Sequence, residues 1–487
     1  EEDINTIRDF ANSISSPDLP PKPVDADHHS VMLAFDQSEQ SSWKYKTPVE
    51  RADILNQIAD HFETASARLY HLLVHEAGKT IDDAAGELRE AVDFCRYYAA
   101  QVLTLDPVSK PRGSVVAISP WNFPLAIFTG QIVAALGAGN AVLAKPAEQT
   151  PRIAAAAIHL MHQAGVPHDA LHLLCGTGAS VGQTLTTAGR CDMVVFTGST
   201  DTAKVIENAI AQSAKPQAPL IAETGGLNAM IVDSSALLER AVDDILTSAF
   251  RSAGQRCSAL RMLYIQNDIA ERLIRMLGEA AAMMTVGHAA NMDTDIGPVI
   301  DDTAKARIDK HIDAARQIGR LIWQGDAPEK GCFCSPAMIQ LDGIADLESE
   351  IFGPVLHIAT YKAGEESKVV QAINASGFGL TFGMHSRIDS NIDMVCGAIN
   401  VGNVYINRNQ IGAIVGSQPF GGNGLSGTGP KAGGQLYLGA FLQNQGGADQ
   451  TVPEIKSSQV MPSPSGERNT YMIAPRGHVL VLHADAN

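Results

Sequence analysis

The chain has 487 residues, 45% of them hydrophobic and 43 of them glycine, with only 5% aromatic, which suits a large soluble α/β protein with more than one core. Its formal charge is −17 and no Lys/Arg cluster stands out, so nucleic acid and anionic membrane surfaces are excluded as direct partners. The seven cysteines are scattered and odd in number, and read as reduced thiols of a cytoplasmic protein, not as a disulfide framework.

Residues 1–46 read as irregular, with a Pro-rich stretch, SSPDLPPKP, at 15–23. The acidic N-terminus lacks a charged-then-apolar signal pattern, and the expectation is an excised or processed piece. Thr47-Pro48-Val49-Glu50 is a helix start: a capping Thr, Pro at the first helical position and Glu three residues after the Thr. Ile54, Ile58, Phe62 and Leu69 then recur near helical spacing to about His75, and a second helix is predicted from Asp82 or Asp83 to about Leu103. Neither helix presents an evident catalytic motif. The most apolar run, Ile127–Ala144, contains Gln131, Asn140 and glycines and does not read as a membrane span.

From Ser114 short apolar strands alternate with helices: 115–119, 141–145, 171–175, 193–197 and 219–223. This pattern predicts a parallel sheet covered on both faces, with ligands at the carboxyl ends of its strands. Those ends are Pro120-Trp121-Asn122, Pro146-Ala147-Glu148, Gly176-Thr177-Gly178, Gly198-Ser199-Thr200 and Glu223-Thr224-Gly225-Gly226. A second α/β set begins near Asn228 and extends past Val401, with a helix at Ala241–Phe250, a strand at Arg261–Gln266 and a helical region at Asp302–Gly319. Glycine is dense at 415–434, and a polar tail leads to a last apolar run, Val479–Leu482. Cys332 and Cys334 lack a second Cys/His pair, so no metal is expected, and alternation along a strand accounts for them.

Cys257 lies in the loop FRSAGQRCSAL (250–260), with Gly254 for backbone freedom and Arg256 and Ser258 beside the thiol. A free thiol is mostly protonated near neutral pH, and an adjacent cation is one way to activate it; the alternative is a small buried hydrophobe. No G-x-G-x-x-G follows any strand, but FTGST (196–200) runs from strand to helix. The N–H groups after Gly198 and the Ser199 hydroxyl are placed to meet a pyrophosphate. Lys145 and Glu148 are placed to grip neighbouring ribose hydroxyls, the carboxylate disfavouring a 2′-phosphate; the alternative is a surface ion pair. Glu223, if partly desolvated, has a raised pKa and serves as a general base, or is a solvated strand-end residue. Asn122 either donates to a developing oxyanion or satisfies loop backbone.

Together SPWNFP, LAKPAEQTP, FTGST, ETGG, GQRCSA, EIFGPV and PFGGNGLSG, in this order across about residues 47–440, resemble the aldehyde dehydrogenase superfamily. Within it the likeness is to the glutamate-γ-semialdehyde dehydrogenase part of the bifunctional proline utilisation A proteins. It is carried by ISPWNFPLAIFTGQ (118–131), SAGQRCSALR (252–261), QPFGGNGLSGTGPKAGG (418–434) and the tail GERNTYMIAPRG (466–477). The resemblance implies an α/β fold with a Rossmann-like NAD-binding domain, an α/β catalytic domain and a small β oligomerisation element. Its divisions fall at 1–227 (N-terminal helices and NAD-binding domain), 228–410 (catalytic domain), 411–445 (return to the NAD-binding region) and 446–487 (tail of a larger protein).

The implied nucleophile is Cys257, with Asn122 and the Cys257 N–H as oxyanion hole and Glu223 as base. NAD is the implied cofactor. Lys145 and Glu148 would hold its adenosine ribose, Ser199 its pyrophosphate, and Glu350, with Phe352 nearby, its nicotinamide ribose; Ser119, Pro120, Trp121, Ala147, Gly178, Phe196, Thr197, Gly198, Thr224 and Gly225 complete the set. Arg256, Ser258 and the backbone of Gly412 and Ala413 would receive the substrate α-carboxylate, and Phe123 and Phe420 its aliphatic part. A proline dehydrogenase module in the larger protein and a homo-oligomer are further implications. Relatives carry a protruding hairpin where this chain has only TLDPVSKPRG (104–113), so a shortened element is expected at 104–116.

Overall fold

The helix start at Thr47 forms as its chemistry dictates in the computed structural model, which describes residues 17–106, 108–443 and 458–473. The Glu50 amide donates to Thr47 Oγ1 and the Thr47 amide to the Glu50 carboxylate, so two orphan donors are satisfied reciprocally. Two expectations change nearby. The region before Thr47 is not irregular throughout: α1 (His28–Gln40), capped by Asp27, packs Val31, Ala34 and Phe35 with Val116, Leu143 and Val194. The prolines end before it and leave it free to fold. The apolar series to His75 belongs to two helices, α2 (Pro48–Thr64) and α3 (Ser66–Ala77), which break at Ala65. Phe62 and Leu69 are a heptad apart, so their spacing matches a single helix although the break lies between them. Next, α4 (Ile81–Val102) is capped by Thr80.

The first sheet has the order β3-β2-β1-β4-β5, built from β1 (Ser114–Ile118), β2 (Ala141–Lys145), β3 (Leu171–Leu173), β4 (Met193–Thr197) and β5 (Leu220–Glu223), every neighbour parallel. Its helices include α5 (Ala126–Gly137), α6 (Pro151–Gln163), α7 (Gln183–Thr187) and α8 (Thr200–Ala211). Strand order reverses beside β1, so a crevice opens at the carboxyl ends of β1 and β4.

The second sheet starts at β6 (Ala229–Val232) and continues through β7 (Met262–Gln266), β8 (Leu321–Gln324), β9 (Ala337–Gln340), β10 (Val355–Tyr361), β12 (Thr381–His385) and β13 (Asn403–Ile406). Only β8 runs antiparallel to its neighbour. Helices α9 (Leu238–Phe250), α10 (Asn267–Ala281), α11 (Asp302–Gln317), α12 (Glu366–Ala375) and α13 (Asp389–Ala398) connect it. Two small antiparallel pairs complete the strands: β11 (Phe378–Gly379) with β14 (Asn423–Gly424), and β15 (Ser458–Met461) with β16 (Asn469–Met472).

Cys332 and Cys334 precede β9 in irregular chain, so strand alternation is not their explanation. Cys332 lies 3.3 Å from Asp302 Oδ1 and Cys334 is core. Among the described residues of 104–113 there is no hairpin; Pro111 instead bridges Leu442. Of GERNTYMIAPRG, 466–473 are described and contain β16, whereas Val479–Leu482 lies outside the described residues. Among the described residues no helix is long and apolar enough to cross a membrane.

Candidate active site

After α9 the chain turns through Ser252, Ala253 and Gly254 at φ of 57°, 53° and 65°. The left-handed region costs the two residues with side chains about 1–2 kcal/mol each, and neighbouring groups hold them there. Asp83 Oδ1 accepts from Arg251 Nε at 2.8 Å and Arg256 Nη2 at 2.7 Å, and Oδ2 accepts from Ser252 Oγ at 2.7 Å. Gln255 Nε2 donates to Ser252 O, and Arg261 Nη1 to Gly254 O at 2.7 Å. At Gly254 a Cβ would stand 2.1 Å from Gly353 O, so only glycine fits. Asn228 Nδ2 donates to the carbonyls of Cys257 and Ala259 at 2.6 and 3.0 Å. The loop presents Cys257 on a backbone tied at both ends.

The thiol itself is not activated by its sequence neighbour. Desolvation, then the Glu350 and Glu223 carboxylates, push the Cys257 thiol up to about 12, against a weaker opposite pull from Arg256. The Arg256 guanidinium is engaged by Asp83 and by Ser252 Oγ, and lies 5.2 Å from the Phe123 ring centre. The expectation that Arg256 eases thiol ionisation is therefore outweighed by burial.

Glu223 ends β5, and its Oε2 accepts from the Gly422 amide at 2.9 Å. Oε1 is buried without a hydrogen-bond partner among the described residues. Desolvation pushes its pKa up to about 8, against the Gly422 hydrogen bond and Lys431. Two glycines of the dense stretch make room for this carboxylate: a Cβ at Gly421 would lie 2.9 Å, and one at Gly427 2.7 Å, from its oxygens.

Asn122, 6% exposed, lies between β1 and α5, and its Nδ2 donates to Gln255 O at 3.1 Å. The amide is tied to the nucleophile loop, and its second N–H remains beyond that bond. On the same loop, Ser119 Oγ donates to Gln131, whose Nε2 donates to Thr197 Oγ1 at 3.0 Å. No side chain of its own caps α5; Glu87 Oε1 accepts from the Leu125 and Ala126 amides at 2.8 and 3.2 Å.

The site therefore depends on the end of α3 and on α4, a region without an evident catalytic motif in the sequence. Lys79 pairs with buried Glu87 at 3.2 Å and sits 4.2 Å from the Phe123 ring centre, a second cation beside Arg256 on the same ring. Glu90 is pushed up to about 7 by burial and by Glu87. In the sequence Asp83, Glu87 and Glu90 recur at helical spacing along α4, a pattern that a solvated charged face also shows. Arg261, 1% exposed, was also missed as a functional residue and pairs with Glu350 at 3.0 Å.

A cavity of about 520 Å³ is lined by Phe123, Glu223, Arg256, Cys257, Ser258, Gly412, Ala413 and Phe420, together with Asp83, Glu87 and Glu90. Phe196, Thr197 and Thr224 also reach its wall, whereas Asn122 does not. Arg408 on this wall pairs with Glu467 of the tail at 2.7 Å.

The remaining predicted residues lie at the strand ends of the first sheet and across from them. Lys145 is 4% exposed and donates to Pro146 O at 3.0 Å; Glu148 is exposed, and no ion pair joins the two. Burial lowers the Lys145 pKa, and Glu148 opposes that shift. Ala147 sits between them, and Gly178 opens a π-helical turn capped by Thr177 with open space at its Cβ position. Ser199 caps α8, its Oγ accepting from the Thr202 amide at 3.2 Å, and a Cβ at Gly198 would strike the Phe196 ring at 2.5 Å. A Cβ at Gly225 would lie 1.9 Å from Glu350 Oε2, so this glycine makes room for the carboxylate. Trp121 meets Phe352 edge-on at 5.5 Å, beside Pro120, and Arg261 lies 5.2 Å from the Phe352 ring centre.

Asp83 yields a stability prediction. Burial alone would raise its carboxyl, but Arg256, Lys79 and Arg251 hold it well below the usual carboxylate range. A depressed carboxyl stabilises the fold fully above its unfolded value, about 3.9, and loses that contribution as pH falls toward the folded value. Asp83→Asn is expected to cost about 3–5 kcal/mol at neutral pH. In urea unfolding the gap to the wild type should narrow below about pH 4; a gap that does not change with pH would contradict the charge pairing.

Known proteins match this arrangement. The sequence model of the Aldehyde dehydrogenase family covers residues 23–445. The chain is 47% identical over 502 residues to the bifunctional protein PutA of Escherichia coli (strain K12), across 91% of this chain and 38% of that protein. It thus spans well under half of that relative's length. It is 38% identical over 422 residues to the 1-pyrroline-5-carboxylate dehydrogenase of Geobacillus kaustophilus (strain HTA426), 82% of each chain being covered. The crystal structure of 1-pyrroline-5-carboxylate dehydrogenase from Thermus with bound NAD superposes with a TM-score of 0.82 at 32% identity, over 86% of this chain and 85% of that one. With one parallel sheet, a second, mostly parallel sheet that carries the cysteine loop, and a family match spanning both, the chain belongs to the aldehyde dehydrogenase family.

Proposed function

We propose that this chain oxidises L-glutamate-γ-semialdehyde to L-glutamate with NAD, through a thiohemiacetal and a thioester on Cys257. The observation that carries the reading is one cavity shared by the Cys257 thiol, the Glu223 carboxylate and the Arg256 guanidinium. The relatives named 1-pyrroline-5-carboxylate dehydrogenase support the substrate, since that imine is the cyclised form of the semialdehyde.

Cys257 passes its proton to solvent in the cavity and adds as the thiolate to the aldehyde carbon. The negative charge that builds on oxygen is met by Asn122 Nδ2 and the Cys257 amide. When bound, NAD supplies the two-electron acceptor for the hydride of that carbon. Glu223 takes a proton from water, whose oxygen attacks the resulting thioester; the C–S bond breaks and glutamate leaves. A cation, hydroxyl and backbone amides at Arg256, Ser258, Gly412 and Ala413 suit an α-carboxylate, and Phe123 and Phe420 suit the methylenes between the two ends.

The residues fit NAD on the chain's own geometry. Gly225 gives up its side chain to seat the Glu350 carboxylate, the group that would take the nicotinamide ribose, and α8 presents its capped N-terminus at Ser199. Lys145 and Glu148 would hold the adenosine ribose, Ser199 the pyrophosphate and Glu350 the nicotinamide ribose. Residues 1–227 would be the nucleotide-binding region and 228–410 the catalytic one, with 411–445 returning to the first. Residues 446–487 would be the tail of a larger cytoplasmic protein that carries a proline dehydrogenase module.

A spectrophotometric assay of glutamate semialdehyde with NAD and with NADP tests this. Glu148 should repel a 2′-phosphate, so kcat/KM with NAD is expected to be about tenfold higher or more. An aldehyde of equal length lacking the α-carboxylate should lose roughly ten- to a hundredfold in kcat/KM, the worth of charged hydrogen bonds. Preference for NADP, or indifference to the carboxylate, would contradict the reading.

A further inference from the structure

Lys431 has no role in the chemistry above, yet its side chain is built into the seat of the base. A bridge between Phe420 and Ala432 sets Lys431 beside Gly421. The Cβ position of Gly421 lies 2.9 Å from Glu223 Oε1 and 3.1 Å from Lys431 Cα and Cγ, so one glycine separates the carboxylate from the lysine. Lys431 Nζ donates to Gly402 O, and to Asn403 Oδ1 at 3.3 Å. Asn403 in turn accepts from the Gly421 amide at 3.5 Å and donates to Pro419 O at 3.0 Å. The next amide, Gly422, is the donor to Glu223 Oε2. The ammonium thus ties the start of β13 to the turn whose N–H holds the base.

The charge matters as well as the tie. Lys431 is the cation that acts on Glu223, while the Cys257 thiol and the Tyr437 hydroxyl are the other titratable groups coupled to it. Burial pulls Lys431 down to about 8, and Glu223 opposes that shift. After each hydrolysis Glu223 holds the proton taken from water and must ionise again before the next.

We propose that Lys431 is a positioning residue for Glu223: its ammonium locks the 402–403 and 419–422 segments into the carboxylate's seat and supplies the counter-charge that favours the anion. The proposal rests on the reading of Glu223 as the base. A cation across one residue from a desolvated carboxylate favours its charged form.

The test is the pH profile of acyl-enzyme hydrolysis by the full chain, with Lys431→Met, Lys431→Gln, Lys431→Arg and Glu223→Gln beside the wild type. Lys431→Gln keeps a donor for Gly402 and Asn403 without the charge, and stands in should Lys431→Met not fold. Loss of charge is expected to move the acidic limb upward by about one unit or more, slowing hydrolysis about tenfold below it. Lys431→Arg should restore the limb. A structural clamp alone would lower the rate without moving the limb, so an unmoved limb in the charge-free variants overturns the proposal. A shifted limb that Arg does not restore overturns it too. If Glu223→Gln hydrolyses at the wild-type rate, the base reading falls instead, and the two failures are told apart.

Discussion

Cys257→Ala is expected to abolish NADH formation, a loss of about four orders of magnitude or more, while leaving the fold intact. The size follows from covalent chemistry: without the sulfur there is no bond to carbon and no tetrahedral centre from which hydride can leave. The intact fold follows from what holds the loop. Asn228 grips the Cys257 carbonyl, and Asp83 and Arg261 grip the turn before it; none of these bonds uses the thiol. Cys257 lies on the cavity wall and is partly exposed, so Ala leaves little void. Desolvation and two carboxylates push its thiol up to about 12, so alkylation of the free protein should be slow at neutral pH and quicken as pH rises. Circular dichroism and a steady-state assay check both halves. Turnover near the wild-type level would rule out the thioester route.

Glu223→Gln separates the two half-reactions. One NADH per site should still form in a burst, because thiol addition and hydride departure need no base for water. Steady-state turnover should then fall about 10²- to 10⁴-fold, the usual worth of a general base. Desolvation pushes the Glu223 carboxyl up to about 8, so wild-type hydrolysis should rise through mildly alkaline pH as the carboxylate forms. The Gln variant should lose that rise. A burst that vanishes with the steady-state rate would instead place Glu223 in the first half-reaction.

The sequence carried the site's skeleton because buried parallel strands read as unbroken apolar runs and place chemistry where those runs stop. Glu223, Lys145 and the FTGST turn all stand at such stops. What stayed hidden was contact across elements. Asp83 and Glu87 sit on a helix face that a linear reading cannot distinguish from a solvated one, yet one holds the nucleophile turn and the other caps α5. Arg256 follows the same rule: next to Cys257 in the chain, it reaches instead for Asp83 and the Phe123 ring. Nothing in FRSAGQRCSAL announces that Ser252 and Ala253 are left-handed, since neither residue type favours it. The α1 helix was masked by the prolines just before it, whereas the Thr47 capping box, a purely local device, formed as read.

The most direct measurement is mass spectrometry of the Glu223→Gln protein mixed with L-glutamate-γ-semialdehyde and NAD. A glutamyl group bonded to Cys257, with one equivalent of NADH released per site, is the expected result. NADH formed with Cys257 unmodified, or the acyl group found on another residue, would contradict covalent oxidation at this cysteine.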